Sequence, residues 1–300
     1  METTSFVRNR YWILRHGKSI PNERGLIVSS MENGTRAEFQ LASEGVQQAE
    51  LAGELFLKME LEIRGACPIR ETMRLVYGKD SQQGITFKDY EGESLKMRQG
   101  IMSLISYVNE STALKESNTP LENVRICYSP FSRTTHTAKV VASMLNLPFE
   151  GPQCKVMEDL RERFFGPSFE LMSHDKYEEI WALDAKDPFM RPEGGESVDD
   201  VASRLANAIA IMESEFQGAK LALRLRMKMR CAILIVSHGD PLQILQTVLH
   251  AVKQHIASSS NGLASRVKAA RVPSILSQHQ DFALLTGELR ALNDDNDVTA

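Results

Sequence analysis

The chain has 300 residues, 42% apolar and 25% charged, the balance of an ordinary globular protein and enough length for one large domain. Lys and Arg number 35 against 39 Asp and Glu, a net charge of −4, so there is no electrostatic footprint for nucleic acid or an anionic membrane. The longest purely apolar run, around Cys231 to Val236, is too short to span a bilayer, and the opening METTSFVRNR has charges where a secretory signal needs an apolar stretch.

Tyr11 to Leu14 is a short apolar run that breaks into Arg15-His16-Gly17, the pattern of a buried strand ending in a loop. Leu41 to Leu57 places apolar residues at helical intervals, with Ser43 as a cap. A second strand fits Val124 to Tyr128, followed by Ser129-Pro130 and a helix from Ser132 to Leu145, with Pro148 ending that region. Ser197 with Asp200 three residues on forms a variant capping box for a helix running towards Phe216. The most apolar strand is Ala232 to Val236, ending in Ser237-His238-Gly239-Asp240, and Pro241 starts another helix. Phe282 to Leu285 is expected as the last strand, and a polar tail occupies about 294–300.

Strands alternating with helices predict a three-layer α/β/α sandwich with a mostly parallel central sheet. Its three clearest strands each end in a polar cluster, at Arg15-His16, at Ser129 to Arg133 and at His238-Gly239. Ligands of open α/β sheets bind beyond the carboxyl ends of strands, so these clusters are expected to converge on one site. Two stretches break the order. Residues 59–120 carry no sustained period and read as an insertion outside the core of a single domain spanning 1–300. Lys220 to Arg230 alternates cations with Leu and Met and reads as a solvated helix end.

A phosphomonoester dianion requires positive charge, many donors, an in-line nucleophile and a proton source for the leaving alkoxide. Arg15 and Arg133 supply forked donors matched to phosphate. His16 can act as nucleophile if its other ring nitrogen donates to a backbone carbonyl, which fixes the reactive tautomer. His238 can donate to the same phosphoryl oxygens, and backbone N–H groups after the strands, Gly239 among them, extend the substrate-binding set. The four cysteines, Cys67, Cys127, Cys154 and Cys231, form no CxxC pair. They read as reduced thiols of a cytosolic or nuclear protein. His174, His250, His255 and His279 match no ligand spacing, so neither metal nor cofactor is expected, and His136 reads as a helix-packing residue.

LRHGKSIPN (Leu14 to Asn22), LASEGVQQA (Leu41 to Ala49), SPFSRTTHTA (Ser129 to Ala138), LRERFFG (Leu160 to Gly166), EGGES (Glu193 to Ser197) and VSHGD (Val236 to Asp240) occur in this order. Together they resemble the histidine phosphatase superfamily, the phosphoglycerate mutase-like family, and look closest to its plant and fungal broad-range acid phosphatases. The resemblance implies that His16 is phosphorylated during turnover and that Arg15 and Arg133 hold the phosphate. It further implies that Asn22 touches the phosphate site, Glu162 donates the proton, His238 is the second catalytic histidine and Arg163 contacts substrate. Glu158, Asp159 and Glu170 stand near Glu162 as other carboxyl groups. Phe164 and Phe165 replace the His and Tyr of the mutases' ERHYG, and the mutases' later basic pair is absent. The expected activity is therefore hydrolysis of a small phosphomonoester, with phosphoglycerate mutase-type phosphoryl transfer or a phospholigand-binding scaffold as the alternatives.

Overall fold

The structure, a computed structural model, describes residues 7–63, 121, 123–216, 230–254 and 263–292. Most of the expected insertion at 59–120, most of Lys220 to Arg230, Cys67, His255 and the tail at 294–300 lie outside the described residues. The chain divides into two compact units, Met1–Phe56 with Val124–Ala300, and Leu57–Asn123. The sheet and the residues discussed below belong to the first.

Arg10–Arg15 forms strand β1, Val124–Tyr128 β2, Cys154–Val156 β3, Ala232–Ser237 β4 and Leu289–Ala291 β5. They make a five-stranded sheet of order β3-β2-β4-β1-β5, in which only β5 runs antiparallel, against β1. Strand β4 is central, and all six of its residues are buried because helices cover both faces.

Side-chain alternation assigns the layers. Tyr11, Ile13, Cys127, Ile233 and Ile235 point into a cluster with helix α6 (Val198–Glu215) and helix α7 (Gly239–Gln254). Trp12, one residue out of phase, meets Phe56 of helix α3 (Ser43–Ile63) edge-on at 5.8 Å. Gly53 of α3 in turn lies against Val141 and Met144 of helix α4 (Ser132–Met144). The arrangement is the α/β/α sandwich anticipated from the alternating elements.

Helix α4 ends before Pro148 by another device. Asn146 takes a left-handed φ of 52°, and the Leu147 N–H returns to the Ala142 carbonyl at 2.9 Å, the pattern of a Schellman stop. The capping box at Ser197 and Asp200 is formed in both directions. Helix α7 starts at Gly239, two residues before the Pro241 start anticipated from sequence.

The last strand requires correction. His279–Phe282 is a 3-10 turn, and the strand lies further on at Leu289–Ala291. Pairing to β1 defines it, since its residues are only half-buried and show no apolar alternation. Short helices between β1 and α3, at Ile20–Arg24 (α1) and Met31–Gly34 (α2), and the cap helix α5 (Tyr177–Lys186) were not anticipated. Two more, α8 (Leu263–Ala270) and α9 (Pro273–Leu276), follow α7.

Candidate active site

The three polar clusters follow β2, β4 and β1, three adjacent parallel strands, so their ends deliver them to one place. Hydrogen bonds continue the ladder past the strands, from His16 N to Ser237 O at 3.0 Å and from Ser129 N to Val236 O at 3.1 Å. The His16 and His238 rings lie 5.3 Å apart, edge to face.

Gly17 turns the chain directly after His16. A Cβ there would stand 2.2 Å from the Gly45 carbonyl oxygen, and a Cβ on Gly45 would stand 2.0 Å from the Lys18 oxygen. Two bare backbones therefore pass where no side chain fits, which explains the glycine in both RHG and SEG. Gly239, beside His238, is less constrained: a Cβ on it would lie 3.3 Å from Arg15 Cζ, a tight contact with a side chain and not a backbone clash.

His16 Nδ1 lies 2.8 Å from the Gly17 carbonyl, which can only accept, so Nδ1 carries the proton and Nε2 the lone pair. Burial, with Arg133 and Arg15 beside it, holds His16 well below the usual histidine pKa, so the ring is a neutral base. Arg133, in the first turn of α4, is buried over the Phe131 ring with its Cζ 4.9 Å from the centroid. Its Nε–H is shared between His16 Nε2 at 3.0 Å and His238 Nδ1 at 3.2 Å. Its Nη2 donates to the Val28 carbonyl at 3.0 Å and to Glu162 Oε2 at 3.3 Å. One guanidinium therefore gathers both imidazoles and the carboxyl group.

His238 is fully buried, and burial with the nearby cations holds it well below the usual pKa. Its Nε2 lies 2.8 Å from Ser129 Oγ, a hydroxyl able to donate or accept. Glu162 Oε2 stands 3.6 Å from His238 Nδ1. Burial raises the Glu162 carboxyl to about 7, against the pull of Arg133, so a large share of it is protonated at neutral pH. The Ser237 hydroxyl, bonded to Leu160 O at 2.7 Å, and Arg204, bonded to Glu162 O at 3.3 Å, fix the loop that delivers it.

Among the described residues, Arg15 Nε and Arg133 Nη1 are buried donors without a hydrogen-bond partner. Arg15 Nη1 is held by the Leu284 carbonyl. Buried donors left open are costly, and these two are available to an acceptor that the protein itself does not supply.

The other sequence-assigned residues stand differently. Asn22 Oδ1 accepts from Ser19 N at 3.0 Å and Ser19 Oγ at 2.7 Å, capping α1. Arg163 is fully buried and spends its nitrogens within the protein, which leaves none for the substrate contact expected of it. Of the competing carboxyl groups, Glu158 is exposed and Asp159 accepts from Asn207. Glu170 collects donors from Ser29, Ser30 and Asn33, whose combined pull lowers its pKa against burial. Sequence reasoning missed Ser129, Glu196, Arg204, Asp184 and His279. Only Ser129 and Glu196 had a local signal, inside SPFSR and EGGES.

The mostly parallel sheet thus carries at its strand ends two facing imidazoles, open guanidinium donors and a carboxyl group whose pKa burial raises to about 7. The chain belongs to the histidine phosphatase superfamily (branch 1), whose family model matches residues 109–268. The matched region contains Arg133, Glu162 and His238, and His16 precedes it. No curated protein matches the chain. Among solved structures it is similar to the mycobacterial glucosyl-3-phosphoglycerate phosphatase, at 17% identity and TM-score 0.46 over 87% of this chain and 84% of that one. It is also similar to an open reading frame product of Mycobacterium tuberculosis, at 20% identity and TM-score 0.47 over 94% and 89%. A third similar structure is described as an alpha-ribazole-5'-P phosphatase from Escherichia coli, at 18% identity and TM-score 0.46 over 95% and 96%. No helix among the described residues is long and apolar enough to cross a membrane.

Proposed function

We propose that the protein hydrolyses small phosphomonoesters through a phosphohistidine on His16, with Glu162 as proton donor and His238 as the second catalytic histidine. The observation that carries this reading is the Arg133 guanidinium, whose Nε–H is shared by His16 Nε2 and His238 Nδ1 and whose Nη2 donates to Glu162 Oε2, so that one cation gathers all three. The substrate's phosphoryl oxygens take the open donors of Arg15 and Arg133, displacing Arg133 from the His16 lone pair. Gly239, at the start of α7, adds its backbone N–H to that binding set. Asn22, the capping-box partner of the N-cap Ser19, holds the loop beyond Gly17 in place.

His16 Nε2 then attacks phosphorus while the ester P–O bond breaks, and Glu162 gives its proton to the departing oxygen. In the tautomer whose Nε2 accepts from the Ser129 hydroxyl, His238 carries its proton on Nδ1 and donates it as a hydrogen bond to the phosphoryl group once Arg133 has turned to the substrate. Glu162, now a carboxylate, takes a proton from water as that water attacks phosphorus. The N–P bond breaks, inorganic phosphate leaves, and both side chains are restored.

The engagement of Arg163 within the protein supports hydrolysis over mutase chemistry, which requires a further cation on the substrate's acid group. The plant and fungal broad-range acid phosphatases remain the finer family likeness on motif grounds. Rapid quenching with radiolabelled phosphomonoester tests the reading. The expected label is acid-labile and base-stable, maps to His16 and is absent in His16→Ala; an acid-stable phosphoserine, or turnover retained in that variant, refutes it.

A further inference from the structure

Behind the site lies a second cluster of charge, to which the reaction above assigns no role. Arg163, next to Glu162, places its two terminal nitrogens 2.7 Å from the two oxygens of Asp184 on α5, and both side chains are fully buried. Its Nη1 also stands 3.5 Å from Asp240 Oδ2, and its Nε donates to the Glu196 carbonyl at 2.8 Å. His279, also fully buried, has Nε2 3.4 Å from Asp240 Oδ1 and 3.7 Å from Asp184 Oδ2, while Nδ1 lies 3.0 Å from the Leu276 carbonyl. Nδ1 thus faces a carbonyl acceptor, while Nε2 makes no hydrogen bond but has two carboxylates as its nearest charges, surroundings that favour the protonated ring. Burial opposes that charge, but Asp240, Asp184 and the carbonyl outweigh it and raise the His279 pKa. Two cations and two carboxylates thus balance inside the protein, the condition under which buried charge is tolerated.

The cluster's attachments give it a function. Arg163 adjoins Glu162 and donates its own N–H to Glu162 Oε1 at 3.1 Å. Asp240 is two residues beyond His238 at the start of α7. His279 opens the 3-10 turn whose continuation presents the Leu284 carbonyl to Arg15. We propose that the Arg163–Asp184–Asp240–His279 quartet is a positioning device that fixes Glu162, His238 and Arg15 relative to one another and sets the charge felt by the acid. Its four members act through those three residues and touch no substrate. The proposal rests on the reading of Glu162 as proton donor. The groups facing Glu162 are Arg133, Arg15, His238 and Tyr177 on the substrate side, Asp240 on the quartet side, and Arg204, which is bonded to its carbonyl. Around the quartet itself, Glu196 is paired with Arg161 and Arg204 on the far side of Arg163.

A charge cycle tests it. Asp240→Asn leaves the quartet with one excess positive charge, His279→Gln with one excess negative charge, and the double variant neutral. The readouts are Glu162 titration, by carbon-13 NMR on glutamate-labelled protein assigned with Glu162→Gln, and the basic limb of kcat for an alkyl phosphomonoester. Asp240→Asn is expected to move both to lower pH and His279→Gln to higher pH, each by about half a pH unit or more. Each single variant is expected to lose about ten-fold in kcat, and the double to recover to within about three-fold. Glu162 titrating unchanged in both single variants, or a double no closer to wild type than they are, overturns the proposal. If a single variant does not fold, the double decides: failure to fold, or folding with Glu162 displaced, also overturns it. Wild type that titrates as expected, with the cycle intact, but turns over no phosphomonoester refutes the phosphatase reading and leaves the quartet's action on Glu162 standing.

Discussion

Glu162→Gln separates the acid's chemical role from its cost to the fold. Burial raises this carboxyl from 4.5 to about 7, so the folded protein binds the proton more tightly than the unfolded chain does. The contribution is fully present below about pH 4.5 and is lost as pH rises through about 7, where the fold must hold a desolvated carboxylate. That rise converts to about 3 kcal/mol. Glutamine keeps the shape of the protonated acid and never ionises. The variant should therefore exceed wild type in stability by about 3 kcal/mol at pH 8, a gain shrinking to within about 1 kcal/mol at pH 5, as measured by urea unfolding. It cannot donate a proton, so turnover of an alkyl phosphate should fall about 100- to 10,000-fold. Turnover of p-nitrophenyl phosphate, whose phenolate leaves without one, should fall much less. In wild type, kcat for the alkyl ester should drop about ten-fold per pH unit above about pH 7. Equal losses on both esters, or no stability gain at pH 8, would refute the assignment of Glu162 as a buried, protonated donor.

Other perturbations probe separate parts of the argument. Arg133→Lys keeps the charge but loses the fork that reaches His16, His238, Val28 and Glu162 together; kcat/KM should fall about 100-fold or more, with little gain from added phosphate. Gly17→Ala places a Cβ 2.2 Å from the Gly45 oxygen, so thermal unfolding should report a loss of about 2–3 kcal/mol, together with reduced activity because His16 is displaced. Residues 59–63 complete helix α3, which the sequence reading places in the insertion; we propose that the remainder, 64–120, is an insertion contributing no catalytic residue. A Gly/Ser linker in its place should leave turnover of a small phosphomonoester within about three-fold, and loss of folding would show that part of the core had been removed.

The sequence by itself determined the sheet's three principal strands and what stands at their ends. Those strands are apolar runs legible without partners, and the polar residues that terminate them, Arg15-His16, Ser129 to Arg133 and His238-Gly239, are neighbours in the chain. Because the strands turned out adjacent and parallel, chain order alone was enough to bring those clusters together. Edge strands β3 and β5 carried no such signal, since each has only three residues, none fully buried, and exists through its pairing with β2 or β1. Tertiary structure also decided what each charged side chain does. Arg133 and Arg163 are both arginines in motif segments, yet one keeps an open donor at the proposed phosphate site and the other is paired with Asp184, a residue twenty-one positions away. Whether a cation serves a ligand or the fold depends on the carboxylates that other elements place beside it. Asp184 and His279 lie in segments whose local pattern gives no hint of that pairing, and desolvation, which makes His16 a neutral base and Glu162 an acid near neutral pH, exists only once the surrounding chain has excluded water.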